Sequence, residues 1–183
     1  MRVIAGTFRG RILKSPPDNK TRPTSDRLRE TLFNILAPRI EGSRFLDLCA
    51  GTGAIGIEAV SRGALHVTFV DKSRRACALI EENLDKLGVP EDATEVSALP
   101  AENFTGRKHE QGWDIVYFDP PYAMEYSLVL WEFGADDSTL LNDDGVLIVE
   151  HHAKNDLPDE IGRIRRWRVH KQGETRLSFY ERN

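Results

Sequence analysis

The sequence predicts an α/β fold: a mostly parallel sheet with a C-terminal antiparallel hairpin and a small N-terminal β-hairpin extension. Three observations carry this. From residue 44 onward, short apolar runs alternate with helix-periodic segments. A glycine-rich turn, "GTGAIG", joins the first of these strands to the helix that follows. Near the C-terminus, "RIRRWRVHK" and "TRLSFYER" are separated by little more than "QGE", so the two strands must run antiparallel.

The elements follow in order. "RVIAGTFRGRIL" is rich in β-formers, with Gly6 and Gly10 placed for turns, and reads as a hairpin. "KSPPDNKTRPT" is a loop. In "SDRLRETLFNILAP" the period changes, and Leu28, Leu32, Ile35 and Leu36 share one helical face. Ser25 or Asp26 caps that helix and Pro38 is expected to end it. "RFLDLC" is a strand, "AGTGAIGIEAVSRG" a turn and short helix, and "HVTFVD" a second strand. "SRRACALIEENLDKLG" is a helix closed by Gly88, with Ala76, Leu79, Ile80, Asn83, Leu84 and Leu87 on or near one face. "ATEVS" is a third strand, "DIVYFD" a fourth, "SLVLWEF" a helix and "GVLIVEHH" a fifth strand. Strands alternating with helices imply right-handed crossovers. The division is a basic hairpin and loop over 1–24, an appendage too small to be a stable second domain, and one domain over 25–183.

Composition narrows the function classes. No run of about 18 apolar residues is present, so no membrane span is expected. The N-terminus is too basic and too interrupted for a signal peptide. Cys49 and Cys77 show neither CxxC nor zinc spacing, which fits a reducing cytoplasm. The net charge of −4 is unevenly spread. Residues 1–39 hold nine Lys or Arg against three Asp or Glu, and the remainder sixteen against twenty-six. A basic arm on an acidic body points to a local polyanion contact.

Gly51, Gly53 and Gly56 match G-x-G-x-x-G between a strand and a helix, and Asp71 ends the next strand 20 residues after Gly51. In that geometry an acid accepts the ribose hydroxyls of a nucleoside. Asp47 stands just before the turn. A carboxylate there would repel a pyrophosphate but suits a ligand carrying an ammonium and a sulfonium, as S-adenosylmethionine does. The plainer reading of Asp47 is a cap or turn residue.

The fourth strand delivers Asp119-Pro120-Pro121-Tyr122 to the same sheet edge. Prolines end a ladder because they lack an N–H, and an acid at a strand tip is costly unless something binds it. Methylation of an exocyclic nucleobase amine would use this arrangement. The amine lone pair is delocalised into the ring, and acceptors on both N–H bonds localise it. Asp119 can supply one acceptor and the Pro120 carbonyl another. Tyr122 offers a face on which an extruded base stacks.

The "DPPY" tetrad is similar to the (N/D)PP(Y/F) motif of amino-methyltransferases. Together, "RVIAGTFRGRIL", "TRPTSDRLRETLFNIL", "DLCAGTGAIGIEAVSRGA", "FDPPY" and "GETRLSFYER" resemble the RsmD family, the 16S ribosomal RNA guanine-N2 methyltransferases. The resemblance spans nearly the whole chain. It implies a Rossmann-like class I methyltransferase fold, S-adenosylmethionine as methyl donor with no metal, and a cytoplasmic location. It also implies action as a monomer on one guanine of 16S rRNA, within an assembled or partly assembled small subunit. By position it implies that Asp47, Ala50, Gly51, Thr52 and Gly53 surround the methionine part of the cofactor. Asp71 would hold the ribose, Lys72 and Ser73 would lie near the adenine, and Ala98 and Leu99 would offer backbone contacts to its edge. "SALPAE" departs from the polar residue common there, with Ser97 or Glu102 as substitutes; "DLC" for "DLF" and Gln172 for an aromatic are minor departures.

The remaining cations divide. Arg2, Arg9, Arg11 and Lys14 on the hairpin, with Lys20 and Arg22 in the loop, are expected to bind RNA phosphates; such contacts position a protein without choosing a base. "TRPT" reads either as a lid or as a helix lead-in. "RIRRWRVHK" reads as a charged edge strand that resists aggregation, ahead of a second phosphate stripe. His151 and His152 have no partner constellation for a metal and read as strand-end polar residues; Cys49 reads as a small buried side chain. Three other functions keep a place: adenine-N6 methylation of DNA, a non-catalytic RNA-binding assembly factor, and a dinucleotide oxidoreductase.

Overall fold

The computed structural model describes residues 1–16, 25–121 and 125–183. Lys20, Arg22 and the "TRPT" segment fall outside those residues, as does Tyr122.

One eight-stranded sheet organises the chain. Its elements are α1 (Asp26–Ile40), β1 (Arg44–Leu48), α2 (Ala54–Ser61), β2 (His66–Val70), α3 (Arg74–Leu87), β3 (Thr94–Ser97), α4 (Ala101–Thr105), β4 (Trp113–Phe118), α5 (Tyr126–Gly134), β5 (Leu141–His152), β6 (Glu160–Ile161), β7 (Ile164–Gln172) and β8 (Thr175–Arg182). The strand order is β3-β2-β1-β4-β5-β8-β7-β6. β1 to β5 pair in parallel, and β8 inserts antiparallel between β5 and β7. The expected α/β architecture is therefore present. The order reverses at β1, between β2 and β4, which is where open α/β sheets bind ligands.

Two apolar layers flank the sheet. Leu28, Leu32, Phe33 and Leu36 of α1, Ile55 and Ile57 of α2, and Ile80 and Leu84 of α3 pack with Phe45, Phe69, Ile115 and Ile148 on one face. Phe104 of α4 and Val129, Leu130 and Phe133 of α5 pack with Leu46, Val116, Phe118 and Leu147 on the other. Burial on both sides explains why these strands read as continuous apolar runs.

Four details differ from the sequence reading. Pro38 does not end α1, which continues to Ile40. A proline two residues from the end forfeits only one hydrogen bond, to the carbonyl of exposed Asn34, while Ile40 gains a place in the core. α4 and β6 were not foreseen, being too short to show a period. β5 begins at Leu141, with a register shift against β4.

The N-terminal segment is hairpin-like but joined by one antiparallel bridge, Arg2 to Ile12. It is sewn into the domain. Val3 and Leu13 belong to the core layer of α1. Fully buried Glu58 of α2 accepts the N–H groups of Ile4 and Ala5 at 2.8 and 2.9 Å. Gly6 lies so close to α2 that a Cβ would sit 1.7 Å from the Ser61 carbonyl oxygen. No side chain fits there, and the position also has a left-handed φ of 80°.

Candidate active site

The site is built at the C-terminal tips of β1, β2, β4 and β5. The turn after β1 contains three left-handed residues: Cys49 (φ 62°), Gly51 (φ 56°) and Gly53 (φ 72°). Three of its amides are engaged within the protein. Ala50 N–H donates to the Val70 carbonyl, Gly51 N–H to the Asp71 carboxylate at 2.8 Å, and Gly53 N–H to the Ala50 carbonyl. One turn into α2, Gly56 N–H donates to Asp47 at 2.9 Å. Gly56 is also required by packing, since a Cβ there would stand 2.2 Å from the Phe69 ring.

This settles the plainer question about Asp47. It is a capping residue in space, accepting from an orphan amide of a helix nine residues on. It is also buried, and burial, opposed by the Gly56 hydrogen bond and reinforced by Asp71, pushes its carboxyl up to about 8. An internal acid on one of the first amides makes this helix N-terminus less favourable to a pyrophosphate.

Asp71 accepts at both oxygens, from Gly51 N–H at one and Ser73 N–H at the other, both at 2.8 Å. Ser73 in turn caps α3, its hydroxyl accepting from Ala76 N–H. A carboxylate takes up to four hydrogen bonds, so Asp71 retains acceptor capacity. Lys72 and Ser73 are exposed beside it. Ala98 is exposed and Leu99 half-buried after β3, where Leu99 packs against the second core layer. Ala50, Gly51 and Thr52 are half-buried and Gly53 is buried.

Asp119 follows β4, with its N–H on the Leu48 carbonyl. Burial raises its carboxyl well above the usual range, and Glu150 and then Asp47 add to the rise. Pro120 is buried and Pro121 exposed. Cys49 lies among the acids, and burial, then Asp71, Asp119 and Asp47, push its thiol up to about 12. A thiol so placed stays neutral and is no nucleophile.

Two residues at this edge were missed. Tyr117, fully buried, donates its hydroxyl to the carboxylate of Glu150 on β5. Burial first, then Glu150 and Asp119, hold that phenol well above its ordinary range. The signal was present: an acid follows the apolar run in "GVLIVE", as in "DIVYFD".

Four acids, Asp47, Asp71, Asp119 and Glu150, thus converge on one edge. Such a site is rich in hydrogen-bond acceptors, which a carboxyl supplies whether or not it is ionised. His151 is separate: it is buried, its Nε2 lies 2.9 Å from the Ser178 hydroxyl, and burial lowers its pKa. A surface depression of about 460 Å3, lined by Arg44, Asn142, Asp143 and Arg182, lies at the opposite sheet edge, away from these acids.

A profile of the family described as "Conserved hypothetical protein 95" matches residues 1–181. The chain belongs to that family, the RsmD family. A family relative from Bacillus subtilis (strain 168), named "Putative rRNA methyltransferase YlbH", is 36% identical over all of this chain and 99% of its own length. The Escherichia coli (strain K12) protein named "Ribosomal RNA small subunit methyltransferase D" is 35% identical, covering 100% of this chain and 90% of its own. The solved structure of Escherichia coli yhhF superposes with a TM-score of 0.88 at 32% identity, covering 100% of this chain and 98% of that one. The family fold is the class I methyltransferase arrangement seen here.

Proposed function

We propose that this chain transfers a methyl group from S-adenosylmethionine to the exocyclic N2 of one guanine in 16S ribosomal RNA. The observation that carries the reading is the ring of acids around a glycine turn, with Asp71 and Asp47 holding the Gly51 and Gly56 amides. A pocket rich in carboxyl acceptors fits a ligand bearing a sulfonium and an ammonium. The names of the relatives support rRNA as the substrate class, and that of the Escherichia coli relative supports the small subunit.

The residues divide the work. Asp47 and the turn from Ala50 to Gly53 would surround the methionine end. Asp71 would accept the ribose hydroxyls while holding the turn closed, with Lys72, Ser73, Ala98 and Leu99 along the adenine. S-adenosylmethionine, when bound, supplies an electrophilic methyl group. Asp119 and the Pro120 carbonyl would each accept one N–H of the target amine, aiming its lone pair at that methyl carbon. Pro121 stiffens the turn, and Tyr122 would stack on the base. The amine becomes acidic only after it gains the methyl, so no strong base is required. In this reading residues 25–183 are the catalytic domain, and 1–24 contact RNA. Arg2, Arg9, Arg11 and Lys14, with Lys20 and Arg22, would meet phosphates of an assembled or partly assembled subunit. The enzyme would work in the cytoplasm as a monomer.

The test is to incubate the protein with methyl-labelled S-adenosylmethionine and unmethylated small subunits or duplex DNA, then identify the labelled nucleoside. N2-methylguanosine from subunits is expected. N6-methyladenine from DNA would overturn the base and substrate. RNA binding with no label in either would leave an assembly factor.

A further inference from the structure

We propose that Glu150 is the residue that selects guanine, by accepting the N1–H beside the target amine. The inference rests on the guanine-N2 reading and names how that base is recognised.

The geometry begins with register. β4 and β5 are parallel neighbours, with Tyr117 beside Ile148 and Phe118 beside Val149. The next residues along lie side by side, Asp119 just past the end of β4 and Glu150 within β5, about one strand spacing of ~4.8 Å apart. Tyr117 and Ile148 both face the α1 layer. Side chains alternate along a strand, so Asp119 and Glu150 face that same side. Their proximity is independently visible in the influence of Glu150 on the Asp119 carboxyl. The Tyr117 hydroxyl, held in a fully buried ring, fixes one oxygen of Glu150. A carboxylate offers four acceptor positions, and the Tyr117 bond uses one of them.

Guanine carries two adjacent donors on this edge, N2–H and N1–H. Two adjacent carboxylates complement them, Asp119 at the amine that reacts and Glu150 at the ring nitrogen. Adenine carries an amine beside N1, but its N1 is a lone pair. That lone pair would face the Glu150 carboxylate, leaving two acceptors opposed and desolvated. Sites built on buried hydrogen bonds reject mismatched analogues far more strongly than apolar pockets do.

2-Aminopurine separates reaction from recognition, because it keeps the 2-amino group and lacks the N1–H. Small subunits are reconstituted with 16S RNA carrying guanosine or 2-aminopurine riboside at the target position, and kcat/KM is measured for each. The wild type is expected to prefer guanine by about 100-fold or more. Glu150→Gln can turn either its oxygen or its NH2 toward N1. It should narrow the preference to under about 10-fold, with most of the change a gain on 2-aminopurine. Tyr117→Phe, which keeps the carboxyl group and removes the phenol that fixes it, should lower the preference several-fold. Calorimetric binding of S-adenosylhomocysteine checks that each variant folds. If Glu150→Gln does not bind it, Tyr117→Phe alone decides. An unchanged preference in the folded variants overturns the role of Glu150 and leaves guanine methylation standing. A wild type that labels no guanine overturns the underlying reading, and this inference with it.

Discussion

The Asp71 carboxylate ties the tip of β2 to the turn that leaves β1, accepting the Gly51 N–H at 2.8 Å while its other oxygen accepts from Ser73. One side chain thus shapes the turn and faces the space where a ribose would lie. Asp71→Ala should weaken S-adenosylmethionine binding by about 1.5–3 kcal/mol, the worth of a charge-assisted hydrogen bond. Calorimetry reads this directly, and an unchanged Kd would place the ribose elsewhere.

Asp119 acts later in the scheme. Its carboxyl is raised by burial and by Glu150 and Asp47, so it adds little negative charge to attract a cationic cofactor. Asp119→Ala should abolish methyl transfer while cofactor affinity changes little. Equal loss of both in paired turnover and binding assays would remove its assigned role.

Asp47 gives a pH dependence. Its carboxyl titrates near 8 when folded against 3.8 as the reference value, so the folded chain holds a proton that the unfolded chain releases. Stability from this group is full below about pH 4 and is lost as pH rises toward 8, at up to about 1.4 kcal/mol per pH unit. Asp47→Asn keeps an acceptor for Gly56 N–H and does not titrate. Urea unfolding of the variant should therefore show a shallower decline from pH 5 to 8, with a residual slope from Asp119. A decline as steep as the wild type's would mean that Asp47 is ionised in the fold.

The basic hairpin is not uniformly available. Arg9 is exposed and makes no ion pair among the described residues, and Arg2 lies 3.8 Å from Asp26. Arg11 donates to the Lys86 carbonyl, and Lys14 pairs with Glu82 at 2.6 Å. Replacing Arg2, Arg9 and Arg11 with Ala should flatten the dependence of log affinity for RNA on log salt by roughly 0.7–0.9 per lost phosphate contact. Lys14→Ala should change it less. A slope that does not move excludes the hairpin as the RNA site.

Glu58 anchors that hairpin, accepting two backbone amides and pairing with Arg62 at 2.8 Å. Glu58→Ala leaves these groups without their acceptor and should cost about 3 kcal/mol. Amide exchange should accelerate first at Ile4 and Ala5. A stability loss under about 1 kcal/mol would show that Val3 and Leu13 alone hold the segment.

Much of this was legible in the chain. Period changes placed the principal helices and strands, because side-chain spacing follows directly from helix and strand geometry. Ser25 capped α1 and Gly88 closed α3 as expected, since caps are local chemistry. Asp47, Asp71 and Asp119 stood out as acids at strand tips beside a glycine turn. Pro38 misled because its penalty depends on what the next turn buries, and Glu58 was hidden because its partners lie 53 and 54 residues away.

From the sequence alone follow the order of elements, the family resemblance and the residues that emerge at each strand tip. Packing settles which of those residues become neighbours and which charges survive. Asp119 meets Glu150 only because β4 lies beside β5, and Asp47 caps α2 only once β1 is covered. Spacing along a chain is local, but sheet order and burial are collective. Those collective properties set the neighbours of a carboxylate and hence its protonation.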